Sequence, residues 1–360
     1  MADALPGTGP EALLHSRPTP YLLVDADLLR ANVEAMAAHA RDLGLALRPH
    51  AKTHKSVEVA RLQLAAGAAG LTVATVSEAE VFVDAGCPDV FVAYPLWVDA
   101  ARGARLRELS ARATVAVGVD SVEGARALAA QVPGAAVLVE VDSGQHRTGV
   151  PPEQAGPVAE GAAHAGLDVR GVFTFPGHGY TPGAQADVAA EESAALRAAV
   201  ASLAAHGIDA RVVSGGSTPT AGAVDGEVLT ELRPGVYVFG DAQQWELGTT
   251  TPDRVALTCL ATVVSHGDGT VVLDAGSKVL GADRAAWATG WGRLLDHPGA
   301  RVTQLSEHHA VVAWDDSPAP PLGSRLRVVP NHVCTTVNLA DELVLTTGEA
   351  WPVSARGAVT

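Results

Sequence analysis

From residue 45 onward, short apolar runs rich in Val, Leu and Ala alternate with longer stretches whose apolar positions recur at helical spacing. That alternation is the pattern of β-α units that build a parallel sheet. The runs predict eight strands: Leu45 to Arg48, Leu71 to Ala74, Val90 to Ala93, Thr114 to Val119, Ala136 to Val141, Val169 to Phe173, Arg211 to Ser214 and Val236 to Phe239. Helix candidates lie between them. Ser77 to Ala85 opens with a serine and has Glu80 three residues on, the arrangement of a capping box, whereas Ser121 to Gln131 has Gly124 at that offset. With Asp27 to Leu43 ahead of the first strand and seven helices between strands, the expected fold is a closed (β/α)8 TIM-type barrel. An open doubly wound sheet would need a switch point and usually a GxGxxG turn, which the sequence lacks.

From about Val255 the pattern changes. The runs Val255 to Ser265, Thr270 to Leu273, His309 to Ala313, Arg325 to Val329 and Glu342 to Leu345 are separated by turns such as His266-Gly267-Asp268-Gly269 and Asp315-Asp316-Ser317-Pro318. This predicts a second, antiparallel β domain. The expected division is 18–245 for the barrel and 246–360 for the β domain, with residues 1–17 as candidates to join the latter. The run Tyr21 to Asp25 fits either the second sheet or a lead into the barrel.

Composition narrows the class. A chain of 360 residues that is 48% hydrophobic buries a large core and is long for one compact domain. The net charge of −15 repels phosphate backbones and anionic lipid headgroups, so nucleic acid and membrane surface are not expected partners. Three scattered cysteines, Cys87, Cys259 and Cys334, make no disulfide framework and fit a reducing cytoplasm. The first twenty residues show no basic region followed by an apolar one, and no run approaches the roughly 18 apolar residues of a membrane span.

In such barrels the chemistry gathers at the carboxyl ends of the strands. Arg48-Pro49-His50-Ala51-Lys52-Thr53-His54-Lys55 follows the first strand and crowds amines and imidazoles beside a guanidinium, conditions that depress an amine's pKa and make a lysine nucleophile. A solvated basic loop is the alternative. Ser214-Gly215-Gly216-Ser217-Thr218, after the seventh strand, offers backbone N–H groups and hydroxyls to an anion such as phosphate. Other strand ends carry Asp142 to Arg147, Gly177-His178-Gly179-Tyr180 and Gly240-Asp241. His332 and Cys334, two apart, would share one face of an extended stretch and could hold a zinc-type ion with positions left open; a buried histidine beside a buried cysteine is the plainer reading.

Taken together, Arg48 to Lys55, Ser214 to Thr220, Glu231 to Asp241 and Asn331-His332-Val333-Cys334 resemble the D-serine dehydratase and D-threonine aldolase family, over about Thr19 to Leu345. That family belongs to the fold-type III pyridoxal-phosphate enzymes, which share with alanine racemase a barrel followed by a β domain. The resemblance implies that Lys52 binds the cofactor's aldehyde, that Ser214, Gly215, Gly216, Ser217 and Thr218 cradle its phosphate, and that Arg147 lies near its phenolic oxygen. His50, Tyr180, Tyr237 and Asp241 are implied as further cofactor contacts, and His332 and Cys334 as ligands of zinc or manganese. Histidine with cysteine is the dehydratase-like version of that pair, where D-threonine aldolases typically show histidine and aspartate. The segment Thr174 to Tyr180 departs from the eukaryotic D-serine dehydratase pattern.

The implied activity is a lyase on D-β-hydroxy amino acids, acting as a homodimer on a small-molecule substrate: dehydration of D-serine to pyruvate and ammonia, or retro-aldol cleavage to glycine and an aldehyde. Lys52 would take the Cα proton in the first route; His54 or His178 would take the β-hydroxyl proton in the second. An amino-acid racemase would use the lysine without the metal pair. A simple cofactor carrier would leave the second domain unexplained.

Overall fold

The computed structural model describes residues 17–314 and 318–360, so Asp315, Asp316 and Ser317 of the expected turn and residues 1–16 lie outside the described part. Two compact units form. One holds 34–52, 59–235 and 357–360; the other holds the described residues up to Val33, Thr53–Glu58 and Val236–Arg356. The chain begins with β1 (Tyr21–Val24) and then supplies the strands of the first unit: β2 (Ala46–Leu47), β3 (Leu71–Val73), β4 (Asp89–Pro95), β5 (Thr114–Val119), β6 (Ala136–Glu140), β7 (Asp168–Phe173), β8 (Val212–Gly215) and β9 (Glu231–Leu232).

These eight strands form one parallel sheet in the order β2-β9-β8-β7-β6-β5-β4-β3. Its ends meet where His50 bridges Thr72 and the Thr72 N–H donates to the Pro49 carbonyl (2.9 Å), closing a TIM-like barrel. Inside, Phe91 and Phe173 meet edge to face at 4.9 Å among Ala116, Ala136 and Leu138.

Two expectations need correction. The eighth strand is Glu231–Leu232, paired with both Ala46–Leu47 and β8, whereas Val236–Val238 is a 3-10 turn after Pro234-Gly235. The real strand was masked by a buried charge: Glu231 accepts from Arg48 Nε at 2.6 Å, so it does not read as apolar. Six α-helices, not seven, fill the gaps between strands, because the glycine-rich stretch between β8 and β9 holds only the 3-10 turn Ala221–Ala223.

The helix expected at Ser77 spans Val76–Asp84 and is capped two residues earlier. Thr75 Oγ1 accepts from the Glu78 N–H (3.0 Å) and Glu78 Oε2 accepts from the Ala74 N–H (2.6 Å), a reciprocal cap shifted along the chain. Ser121 caps Val122–Gln131 as expected.

The second unit is a nine-stranded sheet of β1 with β10 (Leu257–Gly267), β11 (Thr270–Leu273), β12 (Gly292–Leu294), β13 (Arg301–Leu305), β14 (Ala310–Ala313), β15 (Arg325–Pro330), β16 (Glu342–Leu345) and β17 (Ala350–Pro352). Its pairs are antiparallel except β1 with β16, and β11 pairs with both β14 and β10. Tyr21–Val24 thus belongs to this sheet, where it runs antiparallel to β10. β12, β13 and β17 escaped the sequence pattern because two are three residues long and β13, Arg-Val-Thr-Gln-Leu, is mostly polar. Cys87 and Cys259 are buried and free, as expected of small apolar residues. No helix among the described residues is long and apolar enough to cross a membrane.

Candidate active site

The chain contains only three lysines, and their surroundings differ. Lys278 pairs with Glu307 at 2.7 Å on the surface of the second unit. Lys55 is buried, has φ +49, and its Nζ donates to the Ala355 carbonyl at 3.4 Å. Lys52 sits half-buried in the 3-10 turn Ala51–Thr53 just after β2, and its backbone N–H donates to His50 Nδ1 at 3.4 Å. Its Nζ lies 5.1 Å from the centroid of the Phe175 ring, and Arg147 Cζ lies 5.3 Å from the same centroid. One ring therefore holds both cations that the resemblance assigns to the cofactor. Phe175 was missed as a site residue; its signal was its place, two residues past β7 in a segment already unusual for the family.

The glycine turn after β8 is braced from behind. Ser214 Oγ donates to Glu231 Oε1 (2.7 Å), the Gly216 N–H donates to Glu192 Oε1 (2.7 Å), and the Ser217 N–H donates to Thr220 Oγ1 (3.0 Å). These two N–H groups are taken up by side chains of the protein itself. The glycines are required there: Gly216 has φ +77, and a Cβ on Gly215 would stand 2.4 Å from Glu192 Oε1. Thr218 is half-exposed at the turn's far end.

Beneath the turn lies a floor of buried charge. Arg48 bridges Glu231 and Asp89, and these carboxylates raise its pKa against the pull of burial. Arg233 donates to the Thr174 carbonyl and stacks over Phe91 (5.7 Å) and Phe173 (5.4 Å). Burial pushes the Glu192 carboxyl up to about 7 and also raises Glu140.

His178 and Tyr180 lie on the 3-10 turn Gly177–Tyr180. His178 Nε2 is 2.9 Å from Glu191 Oε2. His54 is fully buried, with its Nδ1 3.1 Å from the Ser56 N–H. The two histidines are thus in different units, His178 in the barrel and His54 in the other.

In the second unit His332 and Cys334 do come together, though not as expected. The stretch is not a strand: His332 is the N-cap of helix Val333–Leu339, and Cys334 lies in its first turn. A side-chain hydrogen bond joins them. Thr53 Oγ1 lies 3.2 Å from Cys334 Sγ, and Asp241 Oδ2 lies 3.3 Å from His332 Nδ1. Asp241 is wholly buried, caps Ala242–Glu246 through Oδ1, and accepts the Val333 N–H at 3.1 Å. Asp241, implied by the resemblance as a cofactor contact, also stands against His332. Tyr237 is half-exposed on the turn Val236–Val238.

The residues suit both groups. A phosphate and an aldehyde need a glycine turn, a lysine and neighbouring cations, all present in the barrel. At His332 burial opposes protonation, yet Cys334 and then Asp241 outweigh it and hold the imidazole well above its usual range. Among the described residues no three His, Cys, Asp or Glu side chains form a metal cluster.

Comparison with known proteins gives a consistent result. A family model described as the alanine racemase N-terminal domain matches residues 24–243, and one described as a putative serine dehydratase domain matches 256–346. The chain is 36% identical over 350 residues to D-threo-3-hydroxyaspartate dehydratase of Delftia sp. (strain HT23), covering 88% of this chain and 91% of that one. It is 37% identical over 363 residues to D-threonine aldolase of Arthrobacter sp, covering 94% and 93%. The structure of D-threonine aldolase from Filomicrobium marinum superposes with a TM-score of 0.88 at 33% identity, covering 96% of this chain and 98% of that one.

Proposed function

Because the chain belongs to the D-threonine aldolase and D-serine dehydratase family of fold-type III pyridoxal-phosphate lyases, we propose that it dehydrates D-β-hydroxy amino acids, D-serine among them, to a keto acid and ammonia. The observation that carries this reading is the pairing of His332 with Cys334, backed by Thr53 and Asp241. D-threo-3-hydroxyaspartate dehydratase has been solved in a histidine-to-alanine variant and, two positions away, in a cysteine-to-alanine variant in metal-free form, which supports a metal role for the equally spaced pair here.

Pyridoxal phosphate supplies an electron sink for charge at the substrate's Cα, and the divalent cation polarises the β-hydroxyl. Lys52 would hold the cofactor by its aldehyde, and its amine would be the base that takes the Cα proton of a bound substrate. The β-hydroxyl departs as water. A second water then releases ammonia from the remaining three-carbon skeleton of D-serine, leaving pyruvate. Arg147, on the Phe175 ring with Lys52, offsets negative charge beside that amine. Cys334 and His332 would hold the cation, with Thr53 and Asp241 orienting them.

The second reading is retro-aldol cleavage, for which His178 is better suited than His54: it is partly exposed and oriented by Glu191, whereas His54 is sealed against Ser56. Incubation with D-serine and D-threonine, with and without chelator, separates the routes. Keto acid and ammonia, lost on chelation, support dehydration; glycine plus aldehyde supports the aldolase.

A further inference from the structure

The geometry points to Glu192 as a positioning residue for the cofactor's phosphate, one that holds the Gly215-Gly216 turn in shape and does so uncharged when the phosphate is bound. This rests on the phosphate reading of that turn. Glu192 lies on helix Gln185–Ala205 with no exposed surface, and its Oε1 accepts the Gly216 N–H at 2.7 Å. Only a glycine at 215 admits the carboxyl, since a Cβ would stand 2.4 Å from Oε1. Oε2 is buried without a partner, as befits the O–H of a neutral acid more than a full carboxylate.

The groups facing it set the balance. From the segment after β9 comes Arg233, whose charge favours ionisation, but Arg233 is shared with Glu231 on β9 and Glu140 on β6, and is repelled by Arg48 just after β2. Burial prevails and holds the carboxyl near 7. An ionised Glu192 would then face a dianionic phosphate across the backbone of one turn, with repulsion worth roughly tenfold or more in affinity.

The test compares pyridoxal phosphate with pyridoxal, which lacks the phosphate, binding to the apoprotein from pH 6 to 8.5, for wild type and Glu192→Gln. The amide still accepts from Gly216 but carries no charge. The affinity ratio of the two ligands is the readout, because Lys52 contributes to both. In wild type the ratio is expected to rise less with pH than in Glu192→Gln, so that the variant exceeds wild type about tenfold at pH 8.5 and matches it at pH 6. Identical pH profiles, or equal losses for both ligands, overturn the inference. Should the variant not fold, sulfate, a dianion across this range, serves as probe of the wild-type apoprotein. Stronger protection from thermal unfolding at pH 6 than at pH 8.5 supports the inference, and equal protection overturns it. Failure of wild type to bind pyridoxal phosphate at all overturns the Lys52 reading as well, whereas binding with an unchanged ratio overturns this inference alone.

Discussion

Thr53, the residue after Lys52, holds its hydroxyl 3.2 Å from Cys334 Sγ. Thr53 is thus a partner of the proposed metal thiolate within the second unit. A hydroxyl donating to that sulfur stabilises its anionic form, the form that binds metal. Thr53→Val keeps shape and removes the donor. We expect divalent-metal affinity to fall about tenfold, read by zinc or manganese titration, with the bound-cofactor absorbance unchanged.

Replacing either member of the pair is expected to be more severe. His332→Ala or Cys334→Ala should reduce keto-acid formation from D-serine at least about a hundredfold and leave cofactor binding intact. Chelation of the unaltered protein should reproduce this, and added metal should restore activity only there.

Asp241 holds two roles at one buried carboxylate: the cap of Ala242–Glu246 and the neighbour of His332. Asp241→Asn, which keeps a cap acceptor, should lower stability by only about 1 kcal/mol yet weaken metal binding about tenfold. Asp241→Ala should add roughly 1–3 kcal/mol of instability from the unsatisfied N–H groups of Gln244 and Val333. Thermal unfolding and metal titration read the two effects separately.

Glu192 makes stability depend on pH with a definite sign. Its carboxyl is raised from 4.5 to about 7 by burial, so the folded chain binds the extra proton between those values. The contribution is present at low pH and is lost as pH rises through about 7. The Glu192→Gln apoprotein should match wild type within about 1 kcal/mol at pH 5 and exceed it by about 3 kcal/mol at pH 8, measured by denaturant unfolding.

The barrel was legible in the sequence because seven of its strands are apolar runs between helices, and their carboxyl-terminal loops announced Lys52 and the glycine turn. The eighth was hidden because Glu231 spends a charge inside the barrel, a tertiary choice set by Arg48, to which no local pattern points. The spacing of His332 and Cys334 was visible, but the helix that brings them together was not: the segment Val-Cys-Thr-Thr-Val is β-branched, and its helix begins on an N-cap that makes no side-chain capping bond. Asp241, Glu192 and Phe175 owe their places to contacts far along the chain: 92 residues to Val333, 24 to Gly216 and, for Phe175, the side chains of Lys52 and Arg147.

The most direct test is to reduce the cofactor-loaded protein with borohydride and map the modified peptide by mass, since the lysines are Lys52, Lys55 and Lys278 alone. The phosphopyridoxyl group should appear on Lys52 and on neither other lysine. Label on Lys55 or Lys278, or no label at all in protein saturated with cofactor, would contradict the account.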